Sequence, residues 1–223
     1  MAGKKIRVIH FGLGPIGCGI VRVVAARPDY QIVGAIDIDP AKAGKDLGEI
    51  VGLARKLGVK VSGDAAKALK TKAEVVVHCT GSYLAKVEPQ LSAIMRANHN
   101  VVSTCEELAE PWSHGAVAKR IDGLAKKSKV AILGTGINPG FMMDTLPLTL
   151  TSICQQVKGV RVSRIVDAAG RREPLQRKIG TGLSVEDFNR KRGEGNPSRW
   201  VGGIRFDDRA NTWMEVGQGR GDD

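Results

Sequence analysis

Apolar residues along this chain fall into short runs separated by amphipathic stretches, a pattern that predicts alternating strands and helices. Ile6–Phe11 is apolar except for Arg7 and His10 and reads as a short buried strand. PIGCGIVRVVAARPDY then carries Ile16, Ile20, Val23 and Val24 on one helical face, with Pro15 near the first turn, where a missing N–H costs nothing. QIVGAIDID (31–39) is a second strand that ends in acid. VKV (59–61) reads as a short strand, with Asp64 capping the helix AAKALKT (65–71). EVVVHCT (74–80) is an apolar strand. YLAKVEPQLSAIMRANHN (83–100) is helical, and Pro89 predicts a break or new start within it. VVSTCEE (101–107) is a fifth strand, WSHGAVAKRIDGLAKKS (112–128) an amphipathic helix with a basic outer face, and VAILGTG (130–136) a sixth strand.

This alternation predicts an α/β fold, a Rossmann-type doubly wound parallel sheet. Ligands of such sheets gather at the carboxyl ends of the strands, here Thr80-Gly81-Ser82, Thr104 to Glu107 and Thr135 to Gly140. Past Gly140 the character changes. FMMDTLPLTLTSICQQ (141–156) reads as a helix kinked by Pro147, GVRVSRIVDAA (159–169) as a strand with one covered face, and SVEDFNRKR (184–192) as a helix capped by Ser184. From Gly193 onward there is no convincing periodicity, and the last seven residues read as disordered. The expected division is a dinucleotide-binding domain over 1–142, followed by a smaller, shortened α+β substrate and dimerisation domain with an irregular tail over 143–223.

The first loop carries G-x-G-x-x-G as Gly12, Gly14 and Gly17, between strand and helix. Gly12 would make the tight turn, Gly14 would let backbone approach a pyrophosphate, and Gly17 would let the helix pack on its strand. Pro15 and Ile16 open the helix, whose free N–H groups and dipole favour phosphate. Asp37 lies 20 residues past Gly17, where a carboxylate can hold the ribose hydroxyls. Strand, loop, helix, strand and acid in register point to a dinucleotide, with Thr80, Gly81, Ser82 and Asn138 as further contacts. Asp37 would repel a 2′-phosphate and Ile38 offers no charge to clamp one, which favours NAD; Lys42 and Lys45 follow closely enough to leave NADP open.

Glu106 and Glu107 lie just beyond a strand at the same edge. In an extended chain, neighbouring side chains point to opposite faces, so one of the two would look into the crevice. A carboxylate beside a nicotinamide can hold ammonia, move protons during imine formation and stabilise an iminium cation. The plainer alternative is a pair of acids favoured by a helix N-terminus. In GTGINPGF, the Asn138 amide can bond the nicotinamide carboxamide or a substrate oxygen, or form an ordinary Asn-Pro-Gly turn. His10, His78 and His99 read as structural residues, and His114 as part of a helix start.

Composition narrows these readings only slightly. The net charge of +11 raises the question of nucleic acid, but aromatic residues make up 4% and no nucleic-acid module is present. An anionic cofactor and a solvated basic surface account for the charge more simply. No apolar run approaches the roughly 20 residues that span a bilayer, so a cytoplasmic protein without membrane or nucleic-acid partners is expected. Cys18, Cys79, Cys105 and Cys154 form no C-x-x-C pair and the four histidines show no metal spacing, so reduced thiols and no metal site are expected.

The stretches IRVIHFGLGPIGCGI, QIVGAIDIDPAKAGKDLGEIVG, VVSTCEELAEPW, VAILGTGINPGFMMDTL and RKIGTGLSVEDF together resemble the amine dehydrogenases related to 2,4-diaminopentanoate dehydrogenase, within the wider dihydrodipicolinate-reductase-like superfamily. The likeness covers roughly residues 5 to 189. It implies NAD(P)H-dependent reductive amination of a small ketone or aldehyde with ammonia, the reverse oxidative deamination, and a homodimer. It also implies that one of Glu106 and Glu107 handles the ammonia, and that Phe141, Met142 and Met143 line an apolar substrate pocket. Relatives often carry arginine where this chain has Ile38, and they continue well beyond this length; the likeness fades after Phe188. The alternatives are a reductase of an unsaturated cyclic imine, whose paired-histidine and lysine motif is absent here, and a catalytically silent cofactor-binding protein.

Overall fold

A computed structural model describes residues 4–109, 111–136, 140–164, 170, 173, 176, 180–194, 204–207 and 211–216. The chain divides into two compact units, Met1–Phe141 and Met142–Asp223.

The first unit is built from β1 (Ile6–Phe11), α1 (Pro15–Ala25), β2 (Tyr30–Ile36), α2 (Leu47–Ile50), β3 (Val61–Ser62), α3 (Ala65–Ala68), β4 (Val75–His78), α4 (Leu84–Arg96), β5 (Asn100–Ser103), α5 (Gly115–Ser128) and β6 (Ile132–Gly134). Two 3₁₀ turns, Glu106–Ala109 and Pro111–His114, join β5 to α5. The six strands lie parallel in the order β3-β2-β1-β4-β5-β6, so the chain reverses its winding between β1 and β4. That reversal opens a crevice at the carboxyl ends of these two strands.

Alternation in the strands sends side chains to two cores. Ile9 and Phe11 of β1, Val76 and Val101 meet Leu84, Leu91, Ile94 and Met95 of α4 and Ile121 and Ala125 of α5. On the other side, Leu13, Val21 of α1, Ala35, Leu47 of α2, Val51 and Val61 pack together. All these residues are buried, and each large one contributes roughly 1.5–3 kcal/mol by leaving water.

Three differences from the sequence reading have physical reasons. α4 runs unbroken through Pro89: the proline lies in the second turn and costs one early hydrogen bond, which the burial of Leu84, Val87, Leu91, Ile94 and Met95 outweighs. β5 stops at Ser103 rather than continuing to residue 107, because Ser103 Oγ accepts the Cys105 N–H at 3.1 Å and Leu108 N–H donates to Cys105 O at 3.1 Å, turning the chain. α2, which no apolar period announces, is set by Asp46, whose Oδ1 accepts from Gly48 and Leu57 N–H and whose Oδ2 accepts from Gly58 N–H, at 2.8–2.9 Å. Asp64 caps α3 through Lys67 N–H at 3.0 Å, as its position predicts.

The second unit begins within a π-helical turn, Phe141–Thr145, that leads into α6 (Leu146–Thr151). Pro147 stands in the first turn of α6, so it starts an α-helical segment rather than kinking one. β7 (Val160–Arg164), α7 (Val185–Glu194), β8 (Ile204–Asp207) and β9 (Asn211–Val216) follow. Ser184 caps α7, its Oγ accepting Asp187 N–H at 3.1 Å. The three strands form an antiparallel sheet in the order β7-β9-β8. β8 and β9 come from the stretch whose periodicity is unconvincing; runs of four and six residues are too short for alternation to stand out. Residues 165–169, expected to continue β7, and the last seven residues lie outside the described residues.

Candidate dinucleotide and carboxylate site

The glycine loop is shaped by what its side chains would strike. Gly12 has φ +98°, and a Cβ there would lie 2.6 Å from Cys79 O, so the residue allows both the turn and the contact with the end of β4. A Cβ on Gly17 would overlap Gly12 O, so the first turn of α1 packs directly on the loop. Gly14 differs: its backbone is extended, and a Cβ there would meet nothing within 4 Å. It is the N-cap of α1, with no side-chain cap and no acid in the first turn. Pro15 and Ile16 beside it are exposed. Open space before uncapped helix N–H groups is the environment a phosphate anion fits.

Asp37 follows β2 directly and is buried. Its Oδ2 accepts Leu13 N–H at 2.6 Å and its Oδ1 accepts Asp39 N–H at 2.9 Å, so the acid braces the glycine loop from the next strand. Lys42 Nζ lies 3.4 Å from Asp37 Oδ2 and 3.3 Å from Asp39 Oδ2. Ile38, between the two acids, is 86% exposed.

The ends of β4 and β5 are joined by side chains. His78 is fully buried, with Nε2 2.8 Å from Gln90 Oε1 and Nδ1 2.9 Å from Ser103 Oγ. Gln90 Oε1 only accepts, so Nε2 carries the proton; burial lowers the ring's pKa and keeps it neutral, so Nδ1 accepts from the Ser103 hydroxyl. Thr80 Oγ1 lies 2.8 Å from Nε2 and donates to Gln90 Oε1 at 2.5 Å. Ser82 O accepts Glu107 N–H at 3.2 Å and the Cys105 thiol at 3.2 Å.

Glu106 and Glu107 stand in the first of the 3₁₀ turns, not in an extended strand, so they do not point to opposite faces of a sheet. Glu107 Oε2 accepts the N–H of Leu84, the first residue of α4, at 2.6 Å, and lies 3.7 Å from His114 Nδ1. This carboxylate therefore serves a helix N-terminus, but that of α4, which lies earlier in the chain than the glutamate itself. Glu106 is half-buried beside it. Sequence reasoning reads His78 as structural but does not foresee that Gln90 and Ser103 meet on its ring, since nothing in their spacing shows it.

The other expected residues are placed less fully. Thr80 is exposed, while Gly81 and Ser82 are half-buried at the end of β4. Asn138 and the Met143 side chain lie outside the described residues. Phe141, half-exposed, closes the first unit, and Met142, half-buried, opens the second. Gly140 takes φ +129°. Lys86 is exposed and stacks 5.1 Å over the Tyr83 ring. His99 is buried against the carbonyls of Ala73 and Leu69. The four cysteines are free; burial pushes the thiols of Cys79 and Cys105 up to about 11, which keeps them protonated. Among the described residues there is no group of histidine, cysteine and acidic side chains able to hold a metal ion, and no helix is long and apolar enough to cross a membrane.

Comparison with known proteins agrees with this architecture. Residues 6–107 match the N-terminal domain of dihydrodipicolinate reductase, and residues 141–211 match the C-terminal domain of 2,4-diaminopentanoate dehydrogenase. The second match continues past Phe188, so the kinship reaches further than the motifs alone reveal. The chain is 32% identical over 206 residues to the 2,4-diaminopentanoate dehydrogenase of Acetoanaerobium sticklandii, covering 89% of this chain and 57% of that protein. It is 26% identical over 167 residues to an amine dehydrogenase of Streptomyces virginiae, covering 73% of this chain and 46% of that one. The solved amine dehydrogenase of Mycobacterium smegmatis superposes with a TM-score of 0.73 at 27% identity, over 88% of this chain and 58% of its own. The chain thus spans about half the length of the relatives it matches. With an N-terminal domain that matches dihydrodipicolinate reductase and a C-terminal domain that matches 2,4-diaminopentanoate dehydrogenase, this chain is homologous to 2,4-diaminopentanoate dehydrogenase and to the amine dehydrogenases.

Proposed function

We propose that this chain is an NAD(P)-dependent amine dehydrogenase, which converts a small ketone or aldehyde, ammonia, NAD(P)H and a proton into an amine, NAD(P)⁺ and water, and also runs the reverse reaction. The observation that carries this reading is the glutamate turn hydrogen-bonded to the loop after β4, at the same sheet edge as a glycine loop open at Gly14. The nicotinamide, when bound, supplies the hydride. The chain's own residues bind and orient: Gly12, Gly14, Pro15, Ile16 and Gly17 receive the pyrophosphate, Asp37 the ribose, and Thr80, Gly81, Ser82 and Asn138 the nicotinamide half.

The two glutamates divide the work. Glu107 holds the turn against α4 through Leu84 N–H. Glu106 takes the ammonium ion, removes the protons that must leave nitrogen as the carbinolamine forms, and offsets the positive charge of the iminium that accepts hydride. Phe141, Met142 and Met143 form the apolar wall for the carbonyl substrate. The enzyme acts as a homodimer in the cytoplasm, with no membrane or nucleic-acid partner. Asp37 and the uncharged Ile38 favour NAD.

The test is loss of NADH or NADPH absorbance with small ketones and aldehydes, with and without ammonium at alkaline pH. Ammonium-dependent oxidation is expected, and Glu106→Gln lowers its kcat by about 100-fold or more while leaving NADH affinity unchanged. Oxidation that ignores ammonium means a plain carbonyl reductase. Binding without turnover means a cofactor-binding protein.

A further inference from the structure

Glu107 does more than close the start of α4. Its Oε2 accepts Leu84 N–H at 2.6 Å and stands 3.7 Å from His114 Nδ1. His114 ends the second 3₁₀ turn and is the N-cap of α5, where its side chain makes no capping hydrogen bond. The two helices lie side by side: Arg120 of α5 meets Glu88 of α4 through Nε at 2.6 Å and Nη2 at 2.8 Å. One carboxylate therefore links the first residue of α4 to the residue that opens α5.

The His114 and Glu107 side chains are only 23% and 18% exposed, and among the described residues no lysine or arginine pairs with this carboxylate. A carboxylate withdrawn from water needs donors. Leu84 supplies one, and the imidazole faces the same oxygen. Because the carboxylate only accepts, it favours the form of the ring with a proton on Nδ1. The other ring nitrogen, Nε2, is buried and has no partner among the described residues. An orphaned polar atom costs stability, and an apolar side chain would fill the place without that cost. Packing alone gives no reason for an imidazole here; the carboxylate does.

We infer that His114 is a positioning residue for the glutamate turn: it holds Glu107 between the starts of α4 and α5, and so fixes where Glu106, one residue earlier in the same turn, presents its carboxylate. This rests on the amine dehydrogenase reading above, in which Glu106 takes the ammonium ion. Neighbours in a 3₁₀ turn share backbone, so a shift of the turn at Glu107 carries Glu106 with it. A misplacement of about 1 Å can cost on the order of 100-fold in rate.

The experiment is steady-state kinetics of the whole chain with NADH, a small ketone and varied ammonium, alongside NADH titration. Two variants remove the imidazole differently. His114→Leu fills its space, whereas His114→Ser is a favourable N-cap that supports the start of α5 but does not reach Glu107, so a loss in it is not a failure to fold. In both, kcat/KM for ammonium is expected to fall by about tenfold or more, the loss of one charge-assisted contact, with the NADH dissociation constant within about twofold. Added to Glu107→Gln, His114→Ser should lower kcat/KM by less than about threefold further, because the two residues act as one unit. Unchanged ammonium kinetics in His114→Ser would overturn the assignment while the amine dehydrogenase reading stands. So would an equal loss with and without Glu107→Gln, or a parallel loss of NADH binding, since either means that His114 serves the fold of α5 instead. If the unaltered chain oxidises NADH without regard to ammonium, or not at all, the amine dehydrogenase reading itself falls and takes this inference with it.

Discussion

The carboxyl ends of β1 and β4 lie side by side in the sheet but are made in opposite ways. The β1 end is formed by leaving side chains out: Gly12 and Gly17 are places where a Cβ would strike backbone, and Gly14 faces open space. The β4 end is formed by side chains that meet: His78, Gln90, Thr80 and Ser103 share hydrogen bonds over a spread of 25 residues. The two strands each carry a fully buried histidine that follows this division. His78 uses both ring nitrogens, whereas His10 has a partner for neither among the described residues. One end owes its shape to backbone fit, the other to pairwise polar fit, and the two respond to substitution differently.

The largest effect is expected within the glycine loop. Gly17→Ala puts a methyl group into Gly12 O, which forces α1 off the sheet; a loss of roughly 3 kcal/mol or more is expected. Gly14→Ala meets nothing and has an ordinary backbone conformation, so its stability should change by less than about 1 kcal/mol. The same Gly14 methyl should nonetheless weaken NADH binding. Urea denaturation and NADH titration of both variants check this contrast. Equal destabilisation by the two would show that the loop is not divided between packing and open space.

That division explains what the sequence disclosed. A missing side chain is visible in a single sequence, so Gly12, Gly14, Gly17 and the acid at Asp37 announce themselves by spacing, and the parallel sheet follows from βα alternation, though its strand order does not. The polar joint at β4 and β5 is not visible, because Ser103 and Gln90 are ordinary residues until the fold places them on one imidazole. The turn at Glu106 was hidden for the same reason: apolar patterning carries β5 onward, and only the Ser103 hydroxyl and the Cys105 carbonyl show why the chain bends there. Asp37 was legible as a candidate for holding a ribose but not as the brace for Leu13 N–H.

His10 offers the next largest effect. Burial lowers its pKa to about 4, against 6.5 for an exposed imidazole. Between those values the unfolded chain binds a proton at this residue and the folded chain does not. Its contribution to stability is therefore intact above pH 6.5 and falls as pH drops toward 4, by about 3 kcal/mol in all. His10→Leu, close in size and with no ring nitrogen to desolvate, should remove that component. Unfolding curves for both proteins from pH 7 to pH 4 should converge less steeply in the variant, and parallel curves would show that His10 is not the proton-linked group.

Ser103→Ala should give the smallest effect and the sharpest reading of the β4 end. The serine hydroxyl donates to His78 Nδ1 and accepts from Cys105 N–H, so its loss leaves a buried acceptor and a buried donor unpartnered. A cost of about 1–2 kcal/mol is expected, less than the acid-window effect of His10. The consequence for chemistry is more specific than the stability loss. With the joint loosened, the Glu106–Glu107 turn is free to shift relative to the loop after β4, while the glycine loop is untouched; kcat should fall and NADH affinity should hold within about twofold. Thr80→Val acts on the other side of the same ring, where Thr80 Oγ1 meets Nε2. Residues that share one imidazole are not independent, so the double variant should depart from additivity by at least about 0.5 kcal/mol. Strict additivity, or a loss of NADH binding equal to the loss of kcat, would mean that the imidazole joins the two strands without setting the glutamate turn.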